Sequence, residues 1–225
     1  MATTPRDDSV TAAVAAGMRA LLARRAAELE TGAEAIGWKI GFNARAIQEN
    51  FGLEGPVVGY LTDSTARAPG DVIALTGWHQ PALEVEVAIR VGADGAVAAL
   101  APALELVDLD LPAGGLEGIL AANVFHRGVV FGPETMGADI SELAVSVVRA
   151  RTGDDSGPPL AAGRLSEDPE TTVEVVRSFL AAHGAKLTPG DRIIAGSLIA
   201  PLAIAPGDAL EVTFGALGTL PARFS

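Results

Sequence analysis

Apolar and polar positions follow two different periods along this chain. Over residues 10–30 the period is helical. Val10, Val14, Met18, Leu21, Leu22 and Leu29 recur on one stripe, with Arg19, Arg24, Arg25 and Glu28 mostly opposite. Gly32 offers a C-terminal stop. Residues 35–43 read as a short strand closed by Gly41, and 44–51 as a short helix ended by Gly52. From residue 56 the texture becomes β-rich. Strands are predicted over 82–91, 97–107 and 127–131, with another beginning near 143. A short helix is predicted over 116–122. A second covers 170–183, with Asp168 as N-cap and Pro169 in its first turn. Val173, Val176 and Leu180 face its core side, His183 caps it and Gly184 ends it. Residues 152–169 read as a long loop.

One turn recurs three times, as Pro-Gly-Asp at 69–71, 189–191 and 206–208. Proline fixes the first central φ of a type II turn and glycine supplies the positive φ at the second. A β-rich run follows each copy, so each is expected to launch a strand. The whole reads as α+β, a mixed, mainly antiparallel sheet with peripheral helices. Residues 1–55 are expected to form an N-terminal helical or lid segment and 56–225 the β-rich catalytic domain, within one compact unit overall.

Composition narrows the function. At 49% hydrophobic residues a sizeable core is expected, and with 4% aromatics that core must be aliphatic. The net charge of -12 and the absence of a Lys/Arg cluster argue against nucleic acid as a partner. There is no cysteine, which removes thiolate chemistry and disulfides and fits a cytoplasmic setting. No apolar stretch reaches membrane-spanning length unbroken, and the N-terminus lacks the pattern of a signal peptide.

The strand at 82–91 carries an anomaly. Glu84 and Glu86 are two residues apart, so they share one face at about 6.5–7 Å along the strand. Leu83, Val85, Val87 and Ile89 share the other face. Two carboxylates so placed repel unless a cation sits between them or one holds a proton. A divalent ion resolves this. A solvated strand face, with Arg90 offsetting part of the charge, is the alternative.

The order of several segments decides between them. GWKIGFN, GYLTDS, PALEVEVAIRVG, PALEL and the closing run from AHGAKLTPGD to the C-terminus together resemble the 2-keto-4-pentenoate hydratase branch of the fumarylacetoacetate hydrolase superfamily. The likeness covers roughly residues 36–225. It implies a rolled β-sheet with flanking helices and Mg²⁺ or Mn²⁺ held by three carboxylates, here Glu84, Glu86 and Glu105, with Asp108 and Asp110 as substitutes for the third. It implies Lys39 as the active-site lysine, Asp63 as an acid/base group, and Asn123 and Ser197 as substrate-binding residues. Two departures stand out. The connection between Glu86 and Glu105 is shorter than in the hydratases. Where they carry a DNAS-like segment, this chain reads AANVFHRG. That places Phe125, His126 and Arg127 near the pocket that the resemblance implies, with His126 and Arg127 either a packed or surface pair or a proton shuttle (His126) with a carboxylate clamp (Arg127). His79, five residues before Glu84, could approach the metal, although a loop position suits it as well.

The resemblance implies a cytoplasmic homo-oligomer acting on a small 2-oxo acid. The leading reaction is hydration of a 2-oxo-4-enoate of the 2-hydroxypenta-2,4-dienoate type in aromatic catabolism. Decarboxylation, C–C hydrolysis, or a non-catalytic relative that binds metal or a small acid are the alternatives.

Overall fold

A computed structural model of the chain describes residues 8–110, 112, 114–138, 140, 143–149, 159–164 and 167–225. Among these, thirteen strands form two sheets, joined by four α-helices. The strands are β1 (Ala35–Gly41), β2 (Val57–Thr62), β3 (Ala66–Arg67), β4 (Val72–Ile73), β5 (Pro81–Val91), β6 (Val97–Asp108), β7 (His126–Phe131), β8 (Ala144–Arg149), β9 (Ala161–Arg164), β10 (Arg192–Ile194), β11 (Leu202–Ala203), β12 (Ala209–Thr213) and β13 (Thr219–Phe224). The helices are α1 (Asp8–Glu30), α2 (Arg45–Phe51), α3 (Gly115–Ala121) and α4 (Pro169–Ala182).

The larger sheet runs β2-β1-β10-β5-β6-β7-β3, with β11 also on β5; the smaller runs β4-β13-β12-β8-β9. Pairing is antiparallel except for β1 on β10, β3 on β7 and β13 on β4. The fold is the expected mixed α+β structure with a curled, mainly antiparallel sheet. Its centre is the long β5–β6 pair. One face of β5, Leu83, Val85, Val87 and Ile89, enters the main core with Leu100, Leu104 and Leu106 of β6. The opposite face carries Glu84 and Glu86 and then Ala88, which joins a small apolar cluster with Leu61, Ala101, Ala103, Val129 and Ile194. Both faces are therefore buried, and the glutamates sit where the second one turns from apolar to ionisable.

All three Pro-Gly-Asp turns form. Their glycines have φ of 90°, 92° and 90°, and strands β4, β10 and β12 follow them. In each, the aspartate accepts a hydrogen bond from the backbone N–H three residues earlier: Ala68 to Asp71, Thr188 to Asp191, Ala205 to Asp208. Asp191 also accepts from the buried Trp38 indole at 3.2 Å, tying the turn to β1. The Asp168 cap on α4 accepts from the Thr171 N–H as the sequence predicts. At the other end, the His183 ring meets Phe179 edge-on.

Two expectations change. The segment read as a loop over 152–169 contains β9, which pairs with β8; residues 152–158, 165 and 166 lie outside the described residues. Residues 8–55, expected as a helical or lid segment, also contribute to the larger sheet. Their β1 lies inside it, between β2 and β10, and Gly37 allows this close approach. Gly37 has φ of 146°, and a Cβ there would lie 1.8 Å from the Arg192 carbonyl oxygen. Helix α1 packs on α3 through Gly17, where a Cβ would meet the Leu120 Cβ at 2.6 Å. No helix among the described residues is long and apolar enough to cross a membrane.

Candidate active site

The β5–β6 register sets Glu84 directly opposite Glu105, with Glu86 two residues further along the same face. One carboxylate oxygen from each lies within 4.8 Å of the others. Like charges directly across a strand pair are destabilising, and burial makes this worse. Glu86 and Glu105 have no solvent exposure. Glu86 Oε2 accepts from the Gly196 N–H at 2.7 Å, but Glu86 Oε1 and Glu105 Oε2 are buried without a partner. Buried carboxylate oxygens without donors are costly. Three convergent carboxylates, two with an unmatched oxygen, suit a hard divalent cation such as Mg²⁺ or Mn²⁺.

The remaining oxygen of Glu105 is doubly held. Lys39 Nζ donates to Oε1 at 2.5 Å and His126 Nδ1 lies 2.7 Å from the same atom. Lys39 comes from the middle of β1, and its Nζ also donates to the Val124 carbonyl at 2.8 Å. His126 opens β7, and its Nε2 faces the Thr65 hydroxyl at 3.0 Å. Burial pushes the Glu105 carboxyl up, but Lys39 and His126 together bring it below the usual range. Burial lowers His126, and the pull of Glu105 only partly offsets that. The pair is thus an ionised Glu105 beside a neutral imidazole. Since a carboxylate only accepts, the imidazole proton belongs on Nδ1.

The other two glutamates respond differently. Burial, followed by the charge of Glu105, raises Glu84 to about 7, with Lys39 pulling back. Glu86 rises well above the carboxylate range, through burial and then through Glu105 and Glu84. Without a cation the cluster keeps protons; a cation would replace them.

Three loop segments border the cluster. Phe42–Asn43 follows β1, and Gly196–Ser197 follows β10. Ser197 Oγ accepts from the Val85 N–H between the two β5 glutamates at 3.3 Å, and its carbonyl accepts from Asn43 Nδ2 at 3.1 Å. The third segment is Asn123-Val124-Phe125, with φ of 62°, 51° and 65°. Three consecutive non-glycine residues in the left-handed region are sterically unfavourable. Asn123 anchors them: its Oδ1 accepts from the Tyr60 N–H and its Nδ2 donates to the Tyr60 carbonyl, both at 2.9 Å, completing the edge of β2.

Lys39, Glu84, Glu86, Glu105, His126 and Ser197 therefore meet in one place. Three sequence expectations do not hold in that form. The Asn123 amide is engaged with Tyr60 instead of facing a substrate. Arg127 follows His126 on β7 and points the other way, half-exposed, towards Asp108 Oδ2 at 3.3 Å. Asp63 is exposed and accepts from the Glu34 N–H at 2.8 Å; it lies beside the start of β1, about 13 Å along the strand from Lys39. The substitutes for Glu105 are also placed elsewhere. Asp108 accepts from the His79 and Gln80 N–H groups, and Asp110 pairs with the exposed His79 ring. Two participants went unread in the sequence: Thr65, which lies in a 3-10 turn after β2, and the Val124 carbonyl. Neither carries a motif.

No family model matches the chain. Sequence relatives do. A 4-oxalocrotonate decarboxylase from a Pseudomonas species is 29% identical, over 95% of this chain and 87% of that protein. The 2-keto-4-pentenoate hydratase of Paraburkholderia xenovorans is 25% identical, over 87% of this chain and 78% of that protein. In fold, the chain is similar to 4-oxalocrotonate decarboxylase from Pseudomonas putida G7 in complex with magnesium and adipate. The TM-score is 0.82 at 20% identity, covering 93% of this chain and 85% of that one. In sequence the chain is similar to these hydratases and decarboxylases, and in fold to that decarboxylase.

Proposed function

We propose that this chain is a divalent-metal-dependent lyase for a 2-oxo acid, hydrating a 2-oxo-4-enoate of the 2-hydroxypenta-2,4-dienoate type. The observation that carries this reading is the trio of partly buried Glu84 and fully buried Glu86 and Glu105, with two unpartnered oxygens beside Lys39. When bound, Mg²⁺ or Mn²⁺ supplies Lewis acidity to the keto and carboxylate oxygens of the oxo acid.

The protein's own groups do the rest. Glu84, Glu86 and the free Oε2 of Glu105 would hold the cation. Lys39 uses two of its three N–H donors on Glu105 and Val124, leaving one for an oxygen or carbon of the substrate that becomes basic. His126 keeps its Nδ1 proton on Glu105, and this fixes which carboxylate oxygen faces the cation. Ser197, anchored between Glu84 and Glu86, offers its hydroxyl at the same rim.

The test is a calorimetric titration of Mg²⁺ and Mn²⁺ with and without oxalate, which mimics the planar head of an enolised 2-oxo acid. Binding near one equivalent, strengthened by oxalate and lost in Glu84→Gln and Glu105→Gln, supports the reading. Absence of binding to the wild type sinks it. Decarboxylation is the second reading, favoured by the 29% identity to a decarboxylase. Analysis of products from an unsaturated 2-oxo acid separates the two: a hydroxylated acid in one case, released CO₂ in the other.

A further inference from the structure

Helix α1 ends on a carboxylate that the helix itself does not call for. Glu28 lies in the last turn, where the helix dipole disfavours a negative charge and no basic residue offsets it. Its donors come largely from β2. Tyr60 Oη donates to Glu28 Oε1 at 2.6 Å and Thr62 Oγ1 donates to Oε2 at 3.3 Å, while Arg24 Nε reaches Oε1 at 3.2 Å from the exposed side. Tyr60 and Thr62 are two residues apart on one strand, so both side chains leave the same face, and both are buried. Burial, together with the bond to Glu28, raises the Tyr60 hydroxyl and keeps it a donor. Tyr60 is braced from behind as well, through the two bonds between its backbone and Asn123.

From Thr62 the contacts run inward. Thr65 Oγ1 lies 3.1 Å from the Thr62 carbonyl and 3.0 Å from His126 Nε2. A hydroxyl has one hydrogen, so these two acceptors share it, and the position of Thr62 sets the division. His126 Nδ1 in turn meets Glu105 Oε1 at 2.7 Å. The series Glu28, Thr62, Thr65, His126, Glu105 thus leads from the end of a helix to a buried carboxylate of the cluster.

We propose that Glu28 is a positioning residue that, by fixing Thr62 and through it Thr65, holds the His126 imidazole on Glu105. Its consequence for a bound cation rests on the metal reading of the cluster.

Two measurements on the full chain test this. The first is the proton resonance of His126 Nδ1–H in the metal-free protein, assigned by its loss in His126→Ala. The second is a calorimetric titration with Mg²⁺. Glu28→Gln keeps the size of the side chain and removes its charge. It should shift or broaden the His126 resonance and lower Mg²⁺ affinity about ten-fold, the lower end of the range for outer partners. Combined with Thr65→Val, it should lose less affinity than the product of the two single losses, since both act on one path. Leu22→Ala, which loosens the same helix where it packs on the core, should leave resonance and affinity within about two-fold of wild type. An unchanged His126 resonance in Glu28→Gln, losses that simply multiply, or an equal effect of Leu22→Ala overturns the proposal. A wild type that binds no Mg²⁺ overturns the metal reading, and the His126 resonance then decides the role of Glu28 alone. If Glu28→Gln fails to fold, Thr62→Val cuts the same path from its other side and carries the same expectations.

Discussion

Lys39 and His126 converge on a single oxygen, Oε1 of Glu105, at 2.5 and 2.7 Å. Two donors on one oxygen leave the other, Oε2, as the only one available to a cation. Glu105→Gln removes the charge and puts an amide in competition for both donors. Its Mg²⁺ affinity should fall by more than about 100-fold, beyond the range typical of losing an outer partner. Isothermal titration of the variant checks this, and binding within a few-fold of wild type would move the third ligand elsewhere.

The metal-free cluster makes stability depend on pH. Glu84 sits at about 7 in the fold against 4.5 for an ordinary glutamate, and Glu86 is raised as well. Between those pH values the folded state holds more protons than the unfolded state, so stability falls as pH rises. The contribution is complete below about pH 4.5 and is lost on passing through about 7. Glu105 has the opposite sign, and its share is lost as acid protonates it. The metal-free melting temperature should therefore fall by several degrees from pH 5.5 to pH 8, since about 1 kcal/mol moves a chain of this size by 2–4 °C. Stabilisation by Mg²⁺ should grow over the same interval, because its ligands must be deprotonated. Melting curves at three pH values with and without Mg²⁺ test both slopes.

His126→Ala removes one of the two groups that orient Glu105. Metal affinity should drop about 10–100-fold. Thr65→Val removes the partner of His126 Nε2 and should have a smaller effect in the same direction. If Thr65→Val proves more damaging than His126→Ala, the order Thr65–His126–Glu105 is wrong.

Gly59 lies beside Lys39 on β2. A Cβ there would sit 2.6 Å from Asn123 Oδ1 and 2.8 Å from Lys39 Cγ. Gly59→Ala should therefore displace both side chains. The expected cost is about 1–3 kcal/mol in stability, the usual range for overpacking, together with weakened metal binding through Glu105. Denaturant unfolding and a Mg²⁺ titration of the same variant report the two effects separately.

Asp63→Asn and Arg127→Ala serve as the counter-test. Neither side chain reaches the cluster. Both variants should bind Mg²⁺ and oxalate within about two-fold of wild type. Asp108 is buried but keeps the His79 and Gln80 N–H donors when Arg127 is removed, so Arg127→Ala should cost about 1 kcal/mol.

How much of this was legible in the sequence differs by residue. The Glu84–Glu86 pair could be read because strand alternation is a strict period, and any charge that breaks it is visible. Glu105 came through resemblance, and the register opposite Glu84 then gave it a physical reason. The three Pro-Gly-Asp turns were readable because glycine and proline act locally. The left-handed turn at 123–125 was not, since no glycine marks it; its conformation is held by the Asn123–Tyr60 bonds and by Lys39, all distant in sequence. Arg127 was misplaced for the same reason. The strand register, set by that turn, sends His126 inward and its neighbour out. Strand β9 was missed because its four residues, Ala161–Arg164, show no alternation of their own and take their structure from β8.

The parallel pairing of β1 with β10 joins Lys39 to Ile194 across most of the chain. As the protein leaves the ribosome, Lys39 emerges early and must wait for its neighbour strand and for the Gly196–Ser197 loop. Contacts of such long sequence separation form late and slowly. Until then the buried lysine and the glutamates have no common environment. The carboxylate cluster with its Lys39 contact is therefore among the last parts of the molecule to mature, and a chain truncated before residue 192 should lack it even where β5 and β6 have already paired.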